Sequence, residues 1–163
     1  MAPPHIAPAG AADMDAVRDL FRDYARWLKV DYCLQEFEAE LAGLPGRYAP
    51  PAGGLWLAQV DGAAAGVVGL WPLTDGSGEI KRLWVRPAYR GQRLGRRLME
   101  AALAGARAAG HKRVLLETLD FMTAARALYA ELGFREVARD SLGGDAPANV
   151  RRMACDLAAT APA

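Results

Sequence analysis

The chain of 163 residues is short of several residue types on which whole classes of chemistry depend. It has two cysteines, Cys33 and Cys155, far apart in sequence, so neither a disulfide framework nor a cysteine metal cluster is indicated, and two reduced, partly buried thiols are expected. His5 and His111 are its two histidines, and neither has a partner at metal-ligand or catalytic-triad spacing. His5 reads as a tail residue, His111 as a solvent-facing residue between a helix and a strand, and no metal is expected. An excess of one charge is also missing: 20 Lys and Arg against 19 Asp and Glu leave a net charge of +1. The strongly basic footprint of a nucleic-acid-binding protein is therefore absent, and small molecules are the expected partners. No apolar run is long enough to suggest a transmembrane helix, and Met1 to Ala12 has neither the basic start nor the apolar core of a signal peptide. A cytoplasmic protein without membrane contact is the expectation.

What is present is apolar material for one core. With 52% hydrophobic and 24% charged residues, the chain reads as a single domain over 1–163, its core about 6–157 between loose ends, without repeats. Asp13 is placed to cap a helix in which Val17, Leu20, Phe21, Tyr24, Trp27 and Leu28 recur at helical spacing, and Gln35 to Leu44 reads as a second short helix. A proline and glycine loop, Leu44 to Gly54, follows. Leu55 to Val60 and Ala64 to Trp71 read as strands joined by the turn pair Asp61-Gly62. A second turn, Asp75 to Gly78, leads into a strand from Glu79 to Val85. Beyond it come a helix over Arg96 to Ala109, a strand over Val114 to Thr118, a helix around Tyr129, and a closing hairpin of Phe134 to Arg139 and Val150 to Leu157 around Gly143-Gly144. This order indicates an α/β fold with a mixed sheet.

The most informative stretch is EIKRLWVRPAYRGQRLG, Glu79 to Gly95. Leu83 and Val85 alternate onto one face while Ile80 falls out of the pattern, and Arg86-Pro87 stops the ladder. A loop rich in Arg and Gly then enters a helix, whose unpaired N–H groups and dipole favour an anion at that point. The common phosphate motifs do not match. The Walker pattern has no counterpart here, and Arg90 to Gly95 supplies only Gly91 and Gly95 where a dinucleotide fingerprint needs GxGxxG.

Arg90-Gly91-Gln92-Arg93-Leu94-Gly95, after a strand ending in V-x-P, resembles the Q/R-x-x-G-x-G/A loop of the GNAT superfamily of acetyl-CoA-dependent N-acetyltransferases. The usual inner glycine is Arg93 here, which serves if it keeps a helical conformation, because only a positive φ would demand glycine. Ala124 to Phe134, AARALYAELGF, resembles the family's A-x-x-L-Y-x-x-x-G-F signature, with Gly133 placed to close a helix in the left-handed conformation. Met122 stands where the family often has Asn, seven residues before the signature Tyr.

The resemblance covers roughly Ile6 to Leu157 and implies the GNAT fold, a mostly antiparallel sheet in which two parallel strands, Leu83 to Val85 and Val114 to Thr118, splay apart. Acetyl-CoA would lie in the splay as cosubstrate. Leu83, Trp84 and Val85 would form the strand along which the pantetheine arm pairs. Arg90, Gly91, Gln92, Arg93, Leu94, Gly95 and Arg96 would cradle the pyrophosphate, with Arg97 and Arg126 as further phosphate contacts. Tyr129 stands where relatives place the general acid, and Glu79 where several carry a base, with Glu117 in reserve and the Val85 amide available to an oxyanion. The alternatives to these roles are a core-edge tyrosine, a turn-closing glutamate and a solvated arginine face.

The family places the acceptor between the first two helices and the closing hairpin, which makes Tyr24, Trp27, Tyr32, Tyr48, Trp56 and Trp71 candidate wall residues. Leu41 to Pro51 and Glu117 to Asp120 resemble a small bacterial subgroup without assigned substrates, from which Arg139 to Asp145 departs. The resemblance thus implies acetyl transfer to a primary amine, of a small molecule first and of a protein lysine or N-terminus second. A non-catalytic acyl-CoA sensor is the reading of another class, and a homodimer is compatible with either.

Overall fold

The computed structural model describes residues 2–29, 34–138 and 147–157. Asp61 and Gly62 both have positive φ, the geometry of a tight two-residue hairpin turn, and they join β2 (Gly54–Val60) to β3 (Ala63–Pro72). The turn ahead of β4 (Gly78–Val85) is fixed by Asp75, whose carboxylate accepts the Ser77 N–H at 3.0 Å. With β1 (His5–Pro8), β5 (Arg113–Leu119), β6 (Arg135–Glu136) and β7 (Val150–Asp156), these strands form a seven-stranded sheet in the order β1-β2-β3-β4-β5-β7-β6. Among the described strands only the β4 and β5 pair is parallel, the others being antiparallel.

The helices α1 (Met14–Leu28) and α2 (Leu34–Ala42) cover one face of this sheet, and α3 (Leu94–Ala108) and α4 (Thr123–Glu131) the other. On the first face Val17, Leu20, Phe21 and Leu41 pack with Leu55, Leu57, Val67 and Trp84. On the second, Leu98, Met99, Ala102 and Leu103 pack with Ile80, Val114, Leu116 and Trp56. Gly105 lets Trp56 lie flat under α3, because a Cβ there would come within 2.3 Å of the indole ring. Each fully buried leucine or phenylalanine in these layers contributes about 1.5–3 kcal/mol of transfer free energy.

The structure departs from the sequence expectations at several element ends. No strand was expected ahead of Asp13, yet β1 pairs with β2 from His5 opposite Gln59 to Pro8 opposite Trp56; its one proline fits because β1 lies at the sheet edge. Asp13 does not cap α1. Its carboxylate turns back to accept the Gly10 N–H at 2.8 Å, closing a single 3-10 turn ahead of the helix. The helix α3 begins at Leu94, two residues earlier than its periodicity predicts. In the closing hairpin, Arg135 and Glu136 pair with Ala154 and Met153 of β7, whereas Gly143-Gly144 lies outside the described residues, as do Tyr32 and Cys33. Cys155 is a free, buried thiol.

Candidate active site

Parallel pairing between β4 and β5 covers only Gly78 to Ile80 against Val114 to Leu116. Beyond Ile80 the strands part, and the cause lies in β4 itself. The register against β3 shifts between Val67, opposite Trp84, and Gly69, opposite Lys81, so that Arg82 and Leu83 together face Val68. Arg82 takes φ of 62°, the left-handed value of a bulged residue, and the strand bends there. The bulge also resets the alternation. Ile80, Leu83 and Val85 all face α3 despite their odd spacing, while Glu79, Lys81 and Arg82 turn to the α1 and α2 face, which explains why Ile80 broke the pattern in the sequence.

The parted strands open a cleft of about 230 Å³ lined by Leu83, Glu79, Lys81, Glu117, Tyr24 and Tyr129 among others. Arg86 N–H donates to Ala65 O of β3 at 2.9 Å, so strand alternation turns the backbone groups of Trp84 toward β3 and those of Leu83 and Val85 into the opening. The Val85 carbonyl accepts the Arg90 side chain at 3.3 Å. The Trp84 indole lies on the opposite face of β4, buried against Tyr24 and Trp27.

Further along β4 the cleft continues into a concave surface of about 490 Å³ formed by Val85, Arg90, Gly91, Arg93, Leu94, Gly95 and Arg96 with Ala124, Leu128 and Glu131 of α4. Its floor is backbone. From Gly91 to Arg96 no amide donates to an acceptor among the described residues, the first α3 bond running from Arg97 N–H to Arg93 O at 3.1 Å. Successive unpaired N–H groups at a helix start match the diphosphate of a coenzyme A, which is the group these residues fit.

Arg93 differs from expectation, for it is left-handed, with φ of 59° and ψ of 26°, and not helical. Glycine adopts this conformation without strain, whereas Arg93 adopts it at a steric cost of about 1 kcal/mol. Among the described residues its guanidinium has no ion pair within 4 Å. The other arginines point various ways. Arg96 pairs with Glu131, Arg126 donates to Asp120 O at 3.4 Å, and Arg97 reaches the opposite side of α3 to donate to Pro4 O at 3.1 Å, away from the cradle. Gln92 sits in the loop between Gly91 and Arg93 without lining the concave surface.

At the closed end of the cleft Glu79 is buried, its carboxylate 3.8 Å from Lys81 Nζ. Glu117 is more open and lies 3.6 Å from Arg152 of β7. Since Val114 and Leu116 face α3, Glu117 faces the same side as Glu79. From the other side Tyr129 enters the cleft off α4, 7% exposed. Burial, reinforced by the nearby Tyr24 phenol, pushes the Tyr129 phenol above its ordinary value of 10.0, so it keeps its proton at neutral pH. The Thr118 hydroxyl donates to the Met122 sulfur at 3.4 Å, and Met122 caps α4 with no side-chain hydrogen bond.

The expected wall residues divide into three groups. Tyr24 lines the cleft, and Trp27, 42% exposed, reaches over its mouth to Phe121, 57% exposed, with ring centroids 6.0 Å apart. Tyr48 and Trp56 are core residues on opposite faces of the sheet. Trp71 lies between them in role, packed on the core below and covered by Arg47 and Lys81. Sequence reasoning missed Lys81, Tyr24 as neighbour to Tyr129, and Phe121. Only Lys81 had a visible signal, the broken alternation around it.

Known proteins share this fold. Residues 14–134 match the profile of the acetyltransferase (GNAT) family. An uncharacterised N-acetyltransferase of Schizosaccharomyces pombe is 34% identical over 125 residues, spanning 76% of this chain and 77% of that protein. An uncharacterised N-acetyltransferase of Escherichia coli is 36% identical over 93 residues, 55% of this chain and 56% of that one. An acetyltransferase structure from Streptococcus agalactiae superposes with a TM-score of 0.79 at 24% identity, covering 96% of this chain and 100% of that chain. The bulged and splayed strand pair, the amide cradle and these relatives lead to one statement of kinship: the chain belongs to the acetyltransferase (GNAT) family.

Proposed function

We propose that the protein transfers the acetyl group of acetyl-CoA to a primary amine of a small molecule by direct attack. The observation that carries this reading is the continuity of the β4 opening, lined by the Leu83 and Val85 backbone edge, into the row of unpaired amides from Gly91 to Arg96. An extended arm ending in a diphosphate fits that path, and a structural neighbour from Salmonella typhimurium, of TM-score 0.73 and 22% identity, was solved with acetyl-CoA.

The chemistry then follows from the groups around the closed end. An amine reaches the site as an ammonium ion, and Glu79, directly or through water, takes the proton that must leave before nitrogen can attack. The new N–C bond forms at the thioester carbonyl, with the Val85 amide near the developing oxyanion. As the C–S bond breaks, Tyr129 gives its proton to the departing sulfur. The nitrogen of the adduct sheds its second proton, which returns through solvent to the Tyr129 phenolate, and solvent accepts the one held by Glu79, so the products are the N-acetylated amine, free coenzyme A and one proton. Tyr129 suits this role because burial keeps its phenol neutral.

Calorimetric titration with acetyl-CoA, followed in the same tube by thiol release across a panel of primary amines, tests the reading. Binding with amine-dependent thiol release is expected. Binding without release from any amine would favour an acyl-CoA sensor, and no binding would overturn the assignment of the cleft.

A further inference from the structure

The bulge at Arg82 sends Lys81 and Arg82, consecutive in sequence, to the same side of the sheet as Glu79. The charges gathered there do not cancel. Arg82 is matched by Glu40, whose two carboxylate oxygens accept its Nε and Nη2 at 3.2 and 3.0 Å. That carboxylate also accepts the Tyr48 hydroxyl at 3.1 Å. Among the described residues Lys81 has only Glu79 as an anionic partner, at 3.8 Å, beyond hydrogen-bond reach. Among the described residues Arg47 has no carboxylate within 4 Å, its guanidinium lying instead on the Trp71 ring at 3.8 Å from the centroid. Lys81 Nζ lies 4.2 Å from that same centroid, which keeps the two cations within about 8 Å of each other. Trp71 in turn is the register partner of Glu79 across β3 and β4. An anion, two cations and an aromatic platform are thus contiguous, with one positive charge in excess, at the closed end of the cleft that Lys81 and Glu79 both line.

Resting on the functional reading above, we infer that the acceptor is a free amino acid, its carboxylate held by Lys81 and Arg47 against Trp71 and its amine presented to Glu79. A free amino acid carries its ammonium and carboxylate on neighbouring atoms of one carbon skeleton, and the site offers a carboxylate and an ammonium as immediate neighbours in complementary order. A bound carboxylate supplies the anion that Arg47 lacks, and it draws Lys81 away from Glu79, leaving Glu79 to accept the proton of the amine. A plain alkylamine or a polyamine brings no charge for Lys81 and Arg47 and places a further cation beside them. The pair would repel such an acceptor.

The test compares acceptors that differ only in the carboxylate, using the acetyl-CoA-binding enzyme with thiol release as readout. The twenty common amino acids are set against their α-amides and against the matching decarboxylated amines, such as phenylalanine against phenethylamine. At least one amino acid is expected to turn over with kcat/KM about tenfold or more above both of its partners, the difference residing in KM. Arg47→Gln and Lys81→Gln are each expected to raise KM for that amino acid about tenfold and to shrink its advantage over the amide, with acetyl-CoA affinity by calorimetry unchanged. Equal or better turnover of the amides or amines overturns the inference while leaving the acetyltransferase reading intact. So does an acceptor preference that both variants leave unaltered, or acetyl-CoA binding with no amino acid acetylated. Failure of acetyl-CoA to bind overturns both readings together.

Discussion

The two sides of the β4 opening are built from different materials. Toward α3 and α4 the surface assigned above to the cosubstrate is main chain: six amides from Gly91 to Arg96 and the edge of Leu83 and Val85. Toward α1 and α2 it is side chain: Glu79, Lys81, Arg82 and Trp71, held by Glu40 and Arg47 from segments more than twenty residues away. A main-chain site needs only that the backbone take the correct path, so it tolerates an arginine where relatives have glycine. A side-chain site changes with each substitution, which is how one fold can serve many acceptors. The contrast predicts that mutations on the two sides will separate cleanly into cosubstrate affinity and acceptor turnover.

The largest effects are expected where the two sides meet. Tyr129→Phe removes the proton donor without altering the packing of the ring against Phe134, at a centroid distance of 6.0 Å. The expected result is a fall in kcat on the order of 100-fold with acetyl-CoA affinity unchanged, read by steady-state kinetics beside calorimetry. Unaltered turnover would reject the acid role. Glu79→Gln is expected to cost on the order of tenfold to 100-fold in kcat/KM near neutral pH, and to recover as rising pH deprotonates the amine in solution. A deficit that stays constant with pH would assign Glu79 to acceptor positioning and not to proton transfer.

Gly95→Trp probes the main-chain side alone. A Cβ at this position meets only Leu128, at 3.7 Å, so the backbone accepts the change, but an indole would fill the space above the amides. Loss of one charge-assisted hydrogen bond of about 1.5–3 kcal/mol corresponds to acetyl-CoA binding weaker by about tenfold to 100-fold. Normal affinity would count against the cradle.

The same division of materials explains what could be read before the fold was known. The strand, loop and helix from Glu79 onward and the AARALYAELGF helix announce themselves because their backbone paths require glycine, proline and helical periodicity in fixed order. The acceptor side does not. Arg47 and Lys81 meet on Trp71 through the α2 to β2 connection, the β3 and β4 register and a bulge, none of which leaves a local pattern except the misplaced Ile80. Trp56 and Tyr48 resembled pocket walls in one dimension, yet a glycine under α3 and a carboxylate from α2 draw them into the core. Aromatic spacing cannot distinguish the two fates.

A smaller effect is expected at the start of α4. Met122 occupies the cap position with φ of −81° and ψ of 61°, and its thioether makes no hydrogen bond to the first-turn amides. Met122→Asn places a carboxamide oxygen within reach of those amides, for an expected gain of about 1 kcal/mol in unfolding free energy by denaturant titration. The Thr118 hydroxyl loses its sulfur partner but gains a better acceptor in the same place. A loss of stability would show that Met122 is held by its packing in the cleft and not merely tolerated.

The smallest effect bears most directly on the contrast. Arg93→Gly leaves the amide where it is and relieves the left-handed φ of 59°, but it also frees the unfolded chain. These terms oppose each other, and the net stabilisation should be no more than about 0.5 kcal/mol. Binding is the sharper readout. If the main chain holds the diphosphate, acetyl-CoA affinity should change less than about threefold, with a reduced salt dependence marking the lost surface charge. If affinity falls tenfold or more, the Arg93 guanidinium supplies what the backbone was credited with. Arg93→Ala separates conformation from charge, because it removes the same guanidinium while keeping the strained φ. Equal affinities for the two variants would assign the cradle to amides whose path is set by the neighbouring structure, while a deficit confined to Arg93→Ala would assign it to the ease with which this one residue turns left-handed.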